Sequence, residues 1–487
     1  AILSRIIYQP NHIDEYIIAV GYKNKLIEDY LKISHPDINI TFVEINNFDG
    51  HGSGPGLSLF ECRKFLQEPF IFTACDTIIS SSIPNLNQNW LGVKEVDNIH
   101  QWCSVKIDPK NYVRKIFYKQ AVDTNLAFIG IAYIQDHTEF WAAFDNNKSL
   151  MGNEMQVNNG LDGLISSGLF AQKMEWIDTG TETNYIRALK YYEKNYSFIE
   201  KQTDITYRVD DSIIKYFPDK STSSLRYSRA KSYANIFPPV QKNIGNYYSY
   251  LYQKGDVLSK KLSYSKCLDF LKWAENKLWK KSNINSVEFE QVTYNFYYTK
   301  TLNRLNTFIE TYLPEKKESE ISINGLPCSC AKDLLNVIDR NFYRSSIPSK
   351  YHGDLHADNI ICLENDYRLI DWRQNFGESV DYGDVYYDLS KFYHTLILSV
   401  DTMEQNNFQA IITEDEVLID HYSTFNAFEA TEAFWLFIKK FGYDSKRIRI
   451  IDALIFLNMA PLYSKNMAEY LYYLGRYLLQ KILQKTL

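Results

Sequence analysis

The run His352-Gly353-Asp354-Leu355-His356-Ala357-Asp358-Asn359 is followed by a strand-like stretch and then by Leu369-Ile370-Asp371-Trp372. His352, Asp354 and Asn359 have the spacing H-x-D-x-x-x-x-N, which sets a carboxylate and a carboxamide one short loop apart. Chemistry accounts for that spacing. Asp354 can accept the proton of an incoming hydroxyl, while Asn359 can hold a magnesium ion on nucleotide phosphates. A second metal carboxylate is then needed, and Asp371 supplies it at the end of the apolar strand Tyr367-Arg368-Leu369-Ile370. The competing reading is a polar turn between two strands of any α/β protein. Four matching positions in strand context weigh against it.

Outward from this stretch, two halves of different character emerge. From Ile205 onward the sequence predicts a strand pair around Tyr207 to Phe217, a helix, and a strand from Tyr247 to Tyr252. Long amphipathic helices follow at Tyr264 to Trp279, Val287 to Tyr312, Phe425 to Lys440 and Met467 to Leu483. This is the layout of a small mixed lobe and a larger helical lobe. Pro314 to Glu320 reads as a charged, solvent-exposed loop. Upstream, strands at Tyr16 to Val20, Asn39 to Val43, Phe70 to Ala74 and Ala127 to Ile134 alternate with helices at Lys23 to Leu31 and Leu57 to Leu66. Such alternation predicts a largely parallel sheet, closing with a Tyr-rich helix at Tyr185 to Tyr192. Residues 194 to 206 lack periodicity and set the boundary, giving domains at 1–195 and 205–487.

The 487 residues are too many for one compact core and suit two or three domains. A net charge of −6 argues against a nucleic-acid binder, which usually carries a basic face. No window reaches the ~18 apolar residues of a membrane span; Ile448 to Tyr463 contains Arg449, Asp452 and Asn458 and reads as a buried helix. The start lacks a secretory signal, and the seven scattered cysteines make no Cys-x-x-Cys pair. The chain therefore reads as a soluble cytoplasmic protein with small-molecule partners; a homo-oligomer stays open. The 38 tyrosines are spread through both halves, which points to genomic bias rather than to a cation–π cage.

His-Gly-Asp-Leu-His-Ala-Asp-Asn followed by Leu-Ile-Asp-Trp resembles the aminoglycoside phosphotransferase and choline kinase family of small-molecule kinases, over about residues 205 to 487. The resemblance implies an α+β protein-kinase-like fold using ATP and Mg²⁺. Carried onto matching positions, it makes Asp354 the catalytic base, His352 a loop-ordering residue, and Asn359 and Asp371 magnesium ligands. Lys215, in Ser-Ile-Ile-Lys-Tyr-Phe, falls where the family places a lysine on the phosphates, or is an exposed strand residue. No glycine-rich loop precedes it. Tyr250-Leu251-Tyr252 resembles the hinge that meets adenine with backbone groups, Tyr252 at its end. Asp381, Asp384 and Asp388 either bind substrate or cap the helix that begins near Val385. Arg373 reads equally as a phosphate or substrate contact and as a salt-bridge partner.

Three N-terminal segments in order resemble the sugar-phosphate nucleotidyltransferases, including cytidylyltransferases for choline phosphate. They are Ile18-Ala19-Val20-Gly21-Tyr22-Lys23, Gly54-Pro55-Gly56-Leu57 leading to Cys75-Asp76-Thr77, and Glu175-Trp176-Ile177-Asp178-Thr179-Gly180-Thr181. The resemblance implies a Rossmann-like α/β domain. Asp76 and Asp178 each follow a short apolar strand, where ligands sit in open α/β sheets, so the two can share one Mg²⁺. Gly54 and Gly56 allow close backbone approach to a flat base, or form a plain turn. Gly130 and Glu154 fall where the family contacts its phosphorylated substrate. Lys119 either neutralises that phosphate or is a surface lysine. The Gly-rich opening segment with Arg and a later Pro-Lys, which holds the triphosphate in that family, is not in this sequence. We expect a chain lacking about thirty residues at its start, the alternative being a half that has lost catalysis.

Together these readings predict a two-enzyme fusion. The C-terminal half phosphorylates a small hydroxyl metabolite, sugar or choline-type, with ATP. The N-terminal half couples the ester to a second nucleoside triphosphate (CTP, UTP or GTP), giving an activated precursor for surface polysaccharide. The rivals are a kinase carrying a non-catalytic binding module, and an antibiotic-modifying phosphotransferase.

Overall fold

A computed structural model of the chain describes residues 1–487 except 10–12, 85, 120–122, 193–203, 285, 314–317 and 485–487. The chain divides into two compact units, Ala1–Phe198 and Ile199–Leu487. Most of the aperiodic segment 194–206, and 314–317 of the expected charged loop, lie outside the described residues.

In the first unit, strand Tyr16–Val20, helix Asn24–Ser34 and strand Ile40–Glu44 form a parallel β-α-β turn, Tyr16 opposite Ile40. The main sheet has six strands. Its centre is Leu126–Ile134, which runs antiparallel to Phe70–Thr73, Trp90–Glu95 and Ser104–Ile107. Val113–Phe117 pairs antiparallel with Ser104–Ile107, and only Phe170–Lys173 joins in parallel, along Trp90–Glu95. The largely parallel sheet expected from the sequence is therefore corrected to a mostly antiparallel one. The reason lies in the connections: beyond Thr73, several strands follow one another with no crossover helix, and such strands return antiparallel. Helices His137–Asn146 and Asn158–Leu164 cover the sheet through Phe140, Trp141, Phe144, Leu161 and Leu164, buried with Leu91, Val93, Val105 and Ala132.

The second unit opens with a four-stranded antiparallel sheet in the order Ile205–Val209, Ser212–Tyr216, Tyr247–Leu251, Val240–Ile244. Helix Lys220–Lys231 follows the hairpin, capped by Asp219 accepting from the Ser221 amide. The remainder is dominated by helices. Tyr264–Lys277, Ser286–Tyr294, Lys300–Tyr312, Val385–Ile397, Phe425–Phe441, Ser445–Met459 and Lys465–Gln484 share one hydrophobic core. Between them lies the hairpin Ile360–Cys362 and Tyr367–Leu369, with Ile360 opposite Leu369.

Two departures from the sequence reading matter. A four-stranded sheet of Leu326–Cys328, Ile321–Ile323, Glu416–His421 and Phe408–Ile412 was not foreseen, because its partners are remote in sequence. In the expected exposed loop, Glu318 instead accepts hydrogen bonds from the Ala331 amide and the Tyr472 hydroxyl. All seven cysteines are free, and among the described residues no helix is long and apolar enough to cross a membrane.

Candidate active sites

The 352–359 loop is held from three sides. Its backbone leans on Asp388, whose carboxylate accepts the His352 and Gly353 amides, each at 2.7 Å, and the Trp279 indole N–H at 3.2 Å. Burial pushes the Asp388 carboxyl up to about 6. The fully buried Arg229 donates to the carbonyls of Tyr351 and Arg373. Trp372, fully buried, stacks on Phe237 at 4.6 Å and donates to the Arg226 carbonyl.

His352 is inaccessible to solvent, and burial drives its imidazole down to about 3. A neutral ring explains its bonds: Nε2–H donates to the Ile370 carbonyl at 2.8 Å, and Nδ1 accepts the Asp354 amide at 3.2 Å. It bridges the loop to the hairpin. Asp354 is 8% exposed. Its carboxylate meets Lys391 Nζ at 3.0 Å, His356 Nε2 at 3.8 Å and Arg373 Nη2 at 3.9 Å. Burial alone would raise its pKa, but Lys391, Arg373 and His356 together outweigh burial and hold it well below the carboxylate range. An ionised, poorly solvated carboxylate of this kind can receive a proton.

Asn359 donates from Nδ2 to the Asp354 carbonyl at 2.9 Å, and its own carbonyl accepts the Ile370 amide at 2.9 Å. The hairpin register thus brings Asn359 beside Asp371. Asp371 has a left-handed backbone, φ +58°, a conformation that Asp tolerates better than most residues. Its carboxylate pairs with Lys215 Nζ. Lys215 is only 3% exposed, so the exposed-strand alternative is excluded. Asn359 and Asp371 fit the demands of Mg²⁺, which takes one or two protein oxygens and fills its shell with phosphate and water. Among the described residues no group of three or more His, Cys, Asp or Glu side chains forms an all-protein cage.

Other expectations fare differently. The Leu251 and Tyr252 amides are engaged by the carbonyls of Pro239 and Asp211, at 3.0 and 2.7 Å, and the Tyr252 ring lies under Arg208 at 3.8 Å. These two donors serve the pairing of an inner strand of the sheet and are not free for adenine. Asp384 caps Val385–Ile397 and is buried against Arg447 Nη2 at 3.0 Å. With Asp388 under the loop, the substrate alternative falls for both.

Sequence reasoning missed Lys391, Arg229 and His356. Lys391 sits within Val385–Ile397, and its only local sign is a lysine on a helix that is otherwise buried.

In the first unit, Asp178 lies opposite Thr77 in the antiparallel pair Trp176–Asp178 and Thr77–Ile79, which brings it beside Asp76. Both carboxylates reach Gly180: a Cβ there would stand 2.8 Å from Asp76 Oδ2 and 3.2 Å from Asp178 Oδ1. Burial raises the Asp76 carboxyl, and the Asp178 charge raises it further. Asp178 accepts the Gly180 amide at 3.0 Å and the Asn184 side chain. Two adjacent carboxylates fit a Mg²⁺ shared with phosphates. Gly130, φ +80°, belongs to the same corner, since its Cβ would stand 2.9 Å from Thr77 Oγ1.

Gly54 and Gly56 approach protein backbone: a Cβ at Gly54 would lie 2.7 Å from the Met155 carbonyl oxygen, and one at Gly56 would lie 2.6 Å from the Gln156 carbonyl. Their need for glycine is met by packing on the Glu154–Gln156 segment, which accounts for both glycines without a bound base. Glu154 accepts from its neighbour Gln156 at 3.0 Å. The Lys119 ammonium lies 5.6 Å from the Tyr118 ring. Among the described residues no hydrogen bond or ion pair joins Glu154 or Lys119 to the Asp76 corner.

No family model matches the chain. It is similar to the bifunctional protein GlmU of Methanococcus maripaludis, 22% identical over 190 residues, which are 37% of this chain and 44% of that protein. The chain thus matches less than half the length of this curated relative. Among solved structures it is similar to HddC from Yersinia pseudotuberculosis, with TM-score 0.30 and 18% identity over 39% of this chain and 83% of that one. It is also similar to the inositol-1-phosphate CTP transferase from T. maritima, with TM-score 0.32 and 13% identity over 40% and 83%.

Proposed function

We propose that the chain joins two transfer reactions. Residues 205–487 phosphorylate a small hydroxyl compound with ATP, and residues 1–195 transfer a nucleotidyl group onto the resulting phosphate ester. The observation that carries the reading is Asp354: a buried carboxylate kept ionised by Lys391, next to Asn359 and within one hairpin of the Asp371–Lys215 pair. Asp354 takes the proton of the acceptor hydroxyl. The hydroxyl oxygen bonds to the terminal phosphorus of ATP as the bond to the β-phosphate oxygen breaks and ADP leaves. Asn359 and Asp371 would hold Mg²⁺, whose contribution when bound is to neutralise phosphate charge. Lys215, buried beside Asp371, would meet the phosphates, and His352 keeps the loop in register with the hairpin.

For the second reaction, Asp76 and Asp178 converge beside Gly180 and would hold Mg²⁺ against a nucleoside triphosphate, CTP, UTP or GTP. A phosphate ester made by one half is the acceptor the other half requires, and the product is an activated precursor suited to surface polysaccharide.

The test is product analysis by mass with the full chain, ATP, Mg²⁺ and a panel of hydroxyl compounds. Asp354→Asn should lower turnover by about 10²–10⁴-fold while retaining nucleotide binding. Asp371→Ala should also weaken Mg-ATP binding. Parental rates in both variants would refute the kinase. With phosphate ester and each nucleoside triphosphate supplied, Asp76→Ala should leave the ester unconverted.

A further inference from the structure

Between Ser286 and Tyr312 the helical path is interrupted by a π-turn at Asn295–Thr299. Such a turn adds a residue to one helical turn, re-aims the side chains that follow, and recurs at functional sites. After it, Leu305 and Phe308 are fully buried. The opposite side is polar: Asn295, Thr299, Lys300, Asn303 and Arg304 line an open cleft of about 550 Å³, with Glu378 also on its wall. Asn295, Thr299 and Asn303, like Lys300 and Arg304, are four residues apart and share a face.

The charge of this cleft is one-sided. Lys300 rests over the Phe296 ring at 4.3 Å. It lies within electrostatic range of Arg373, Lys391, Arg304 and Asp354, so the cleft and the proposed base share one neighbourhood. Four cations there face Asp354 and Glu378, with Asp204 and Asp371 also in electrostatic range of Arg373. Asp354 already answers to Lys391 at 3.0 Å, and Glu378 accepts from Asn295 at 3.4 Å. Among the described residues no carboxylate lies within 4.0 Å of the Lys300 or Arg304 charge. Of the three carboxylates that the sequence offers to an amine-bearing acceptor, Asp384 and Asp388 are buried in structural roles, and the exposed Asp381 does not line this cleft. A cationic alcohol entering this cleft meets repulsion, whereas an acid group meets a guanidinium fork suited to two-oxygen recognition, with an ammonium one helical turn away.

We propose that this cleft seats the acceptor and that the acceptor is anionic: a small hydroxyl compound bearing a phosphate or carboxylate. Lys300 and Arg304 hold the acid group while the hydroxyl lies at Asp354. The inference rests on the kinase reading and narrows it, against choline and other amine-bearing alcohols. The step balances as above: the acceptor oxygen gains the terminal phosphoryl group, ADP departs, and the proton passes to Asp354.

The test uses the full chain with Mg-ATP and one hexose scaffold in four charge states: glucose, glucosamine, glucuronate and glucose 6-phosphate. Glycerol, ethanolamine, glycerate and glycerol 3-phosphate provide a smaller set. An anionic member should exceed its neutral parent at least tenfold in kcat/KM, and the carboxylate and phosphate arms identify the acid group. Arg304→Gln should cut that ratio by about tenfold to a hundredfold, and Arg304→Lys should restore part of it. Calorimetric titration of inorganic phosphate and of malonate gives a reading without turnover, in which Arg304→Glu should bind neither. Preference for the neutral or amine member, or equal anion affinity in parent and Arg304→Glu, overturns the inference. If Mg-ATP binds and only amine alcohols react, this inference alone falls. If Mg-ATP does not bind, the kinase reading falls with it.

Discussion

Replacing Lys391 by methionine tests the electrostatic argument at its centre. Lys391 is 7% exposed, and its ammonium lies 3.0 Å from Asp354 Oδ1. At an effective dielectric near 20, opposite charges at that separation attract by roughly 5 kcal/mol, equivalent to about four pKa units. Arg373 and His356 remain in Lys391→Met and compensate in part, so the Asp354 pKa should rise without the full loss of that attraction. In the parent the carboxyl is held well below its ordinary range. The acid limb of kcat/KM that belongs to it should therefore move to higher pH in the variant. The stability sign follows. A depressed carboxyl contributes stability above its unfolded pKa and loses it as pH falls through the folded pKa. Breaking the pair should cost about 3–5 kcal/mol at neutral pH, and the gap to the parent should narrow as pH falls through the variant's raised Asp354 pKa. The assay is kcat/KM by ADP release from pH 4.5 to 9 with parallel thermal melts, Lys391→Arg serving as the rescue. If the Lys391→Met profile superimposes on the parent's while the protein remains folded, Asp354 is not the titrating base or Lys391 is not its partner.

Two further outcomes follow from the geometry. Gly180→Ala would place a methyl group 2.8 Å from Asp76 Oδ2 and 3.2 Å from Asp178 Oδ1, so the carboxylates must part. Nucleotidyl transfer should fall at least tenfold with kinase activity intact, and loss of both together would mean misfolding rather than a broken metal corner. Lys300 is pushed down to about 7, by burial first and then by Arg373, Lys391 and Arg304, against the pull of Asp354. A cation that deprotonates near pH 7 binds an anion less well as pH rises through that value. The anionic acceptor should therefore bind up to about thirtyfold more weakly at pH 8.5 than at pH 6, with proton uptake on binding. Calorimetry in two buffers of different ionisation heat measures that uptake, and Lys300→Arg should abolish it; no uptake in the parent would exclude the assignment.

What could be read from the sequence depended on how far apart the partners lie. The 352–372 stretch was readable because loop and hairpin are contiguous. Once Ile360 pairs with Leu369, Asn359 has nowhere to be except beside Asp371. Strand and helix positions were legible for the same reason, since periodicity is local. The sheet directions were not, because the alternation of strand and helix ends at Thr73 and nothing in the later strands records which neighbour each will choose. The glycines at 54 and 56 show the limit from another side: glycine declares a close approach without saying to what, and here the approach is to the backbone of residues 155 and 156. The cations around Asp354 were hidden for a different reason. Lys300, Arg304 and Lys391 lie on helices that begin as ordinary amphipathic segments, where a lysine normally marks the solvent face. Only packing reveals that the Lys391 helix is buried almost throughout and that the π-turn at 295–299 carries Lys300 and Arg304 onto a cleft wall. On the proposed reading the motif announces a base and its metal ligands, while the charge of the acceptor would be encoded by residues that no motif contains. The proposed transfer chemistry would then be local in this sequence, and the choice of substrate tertiary.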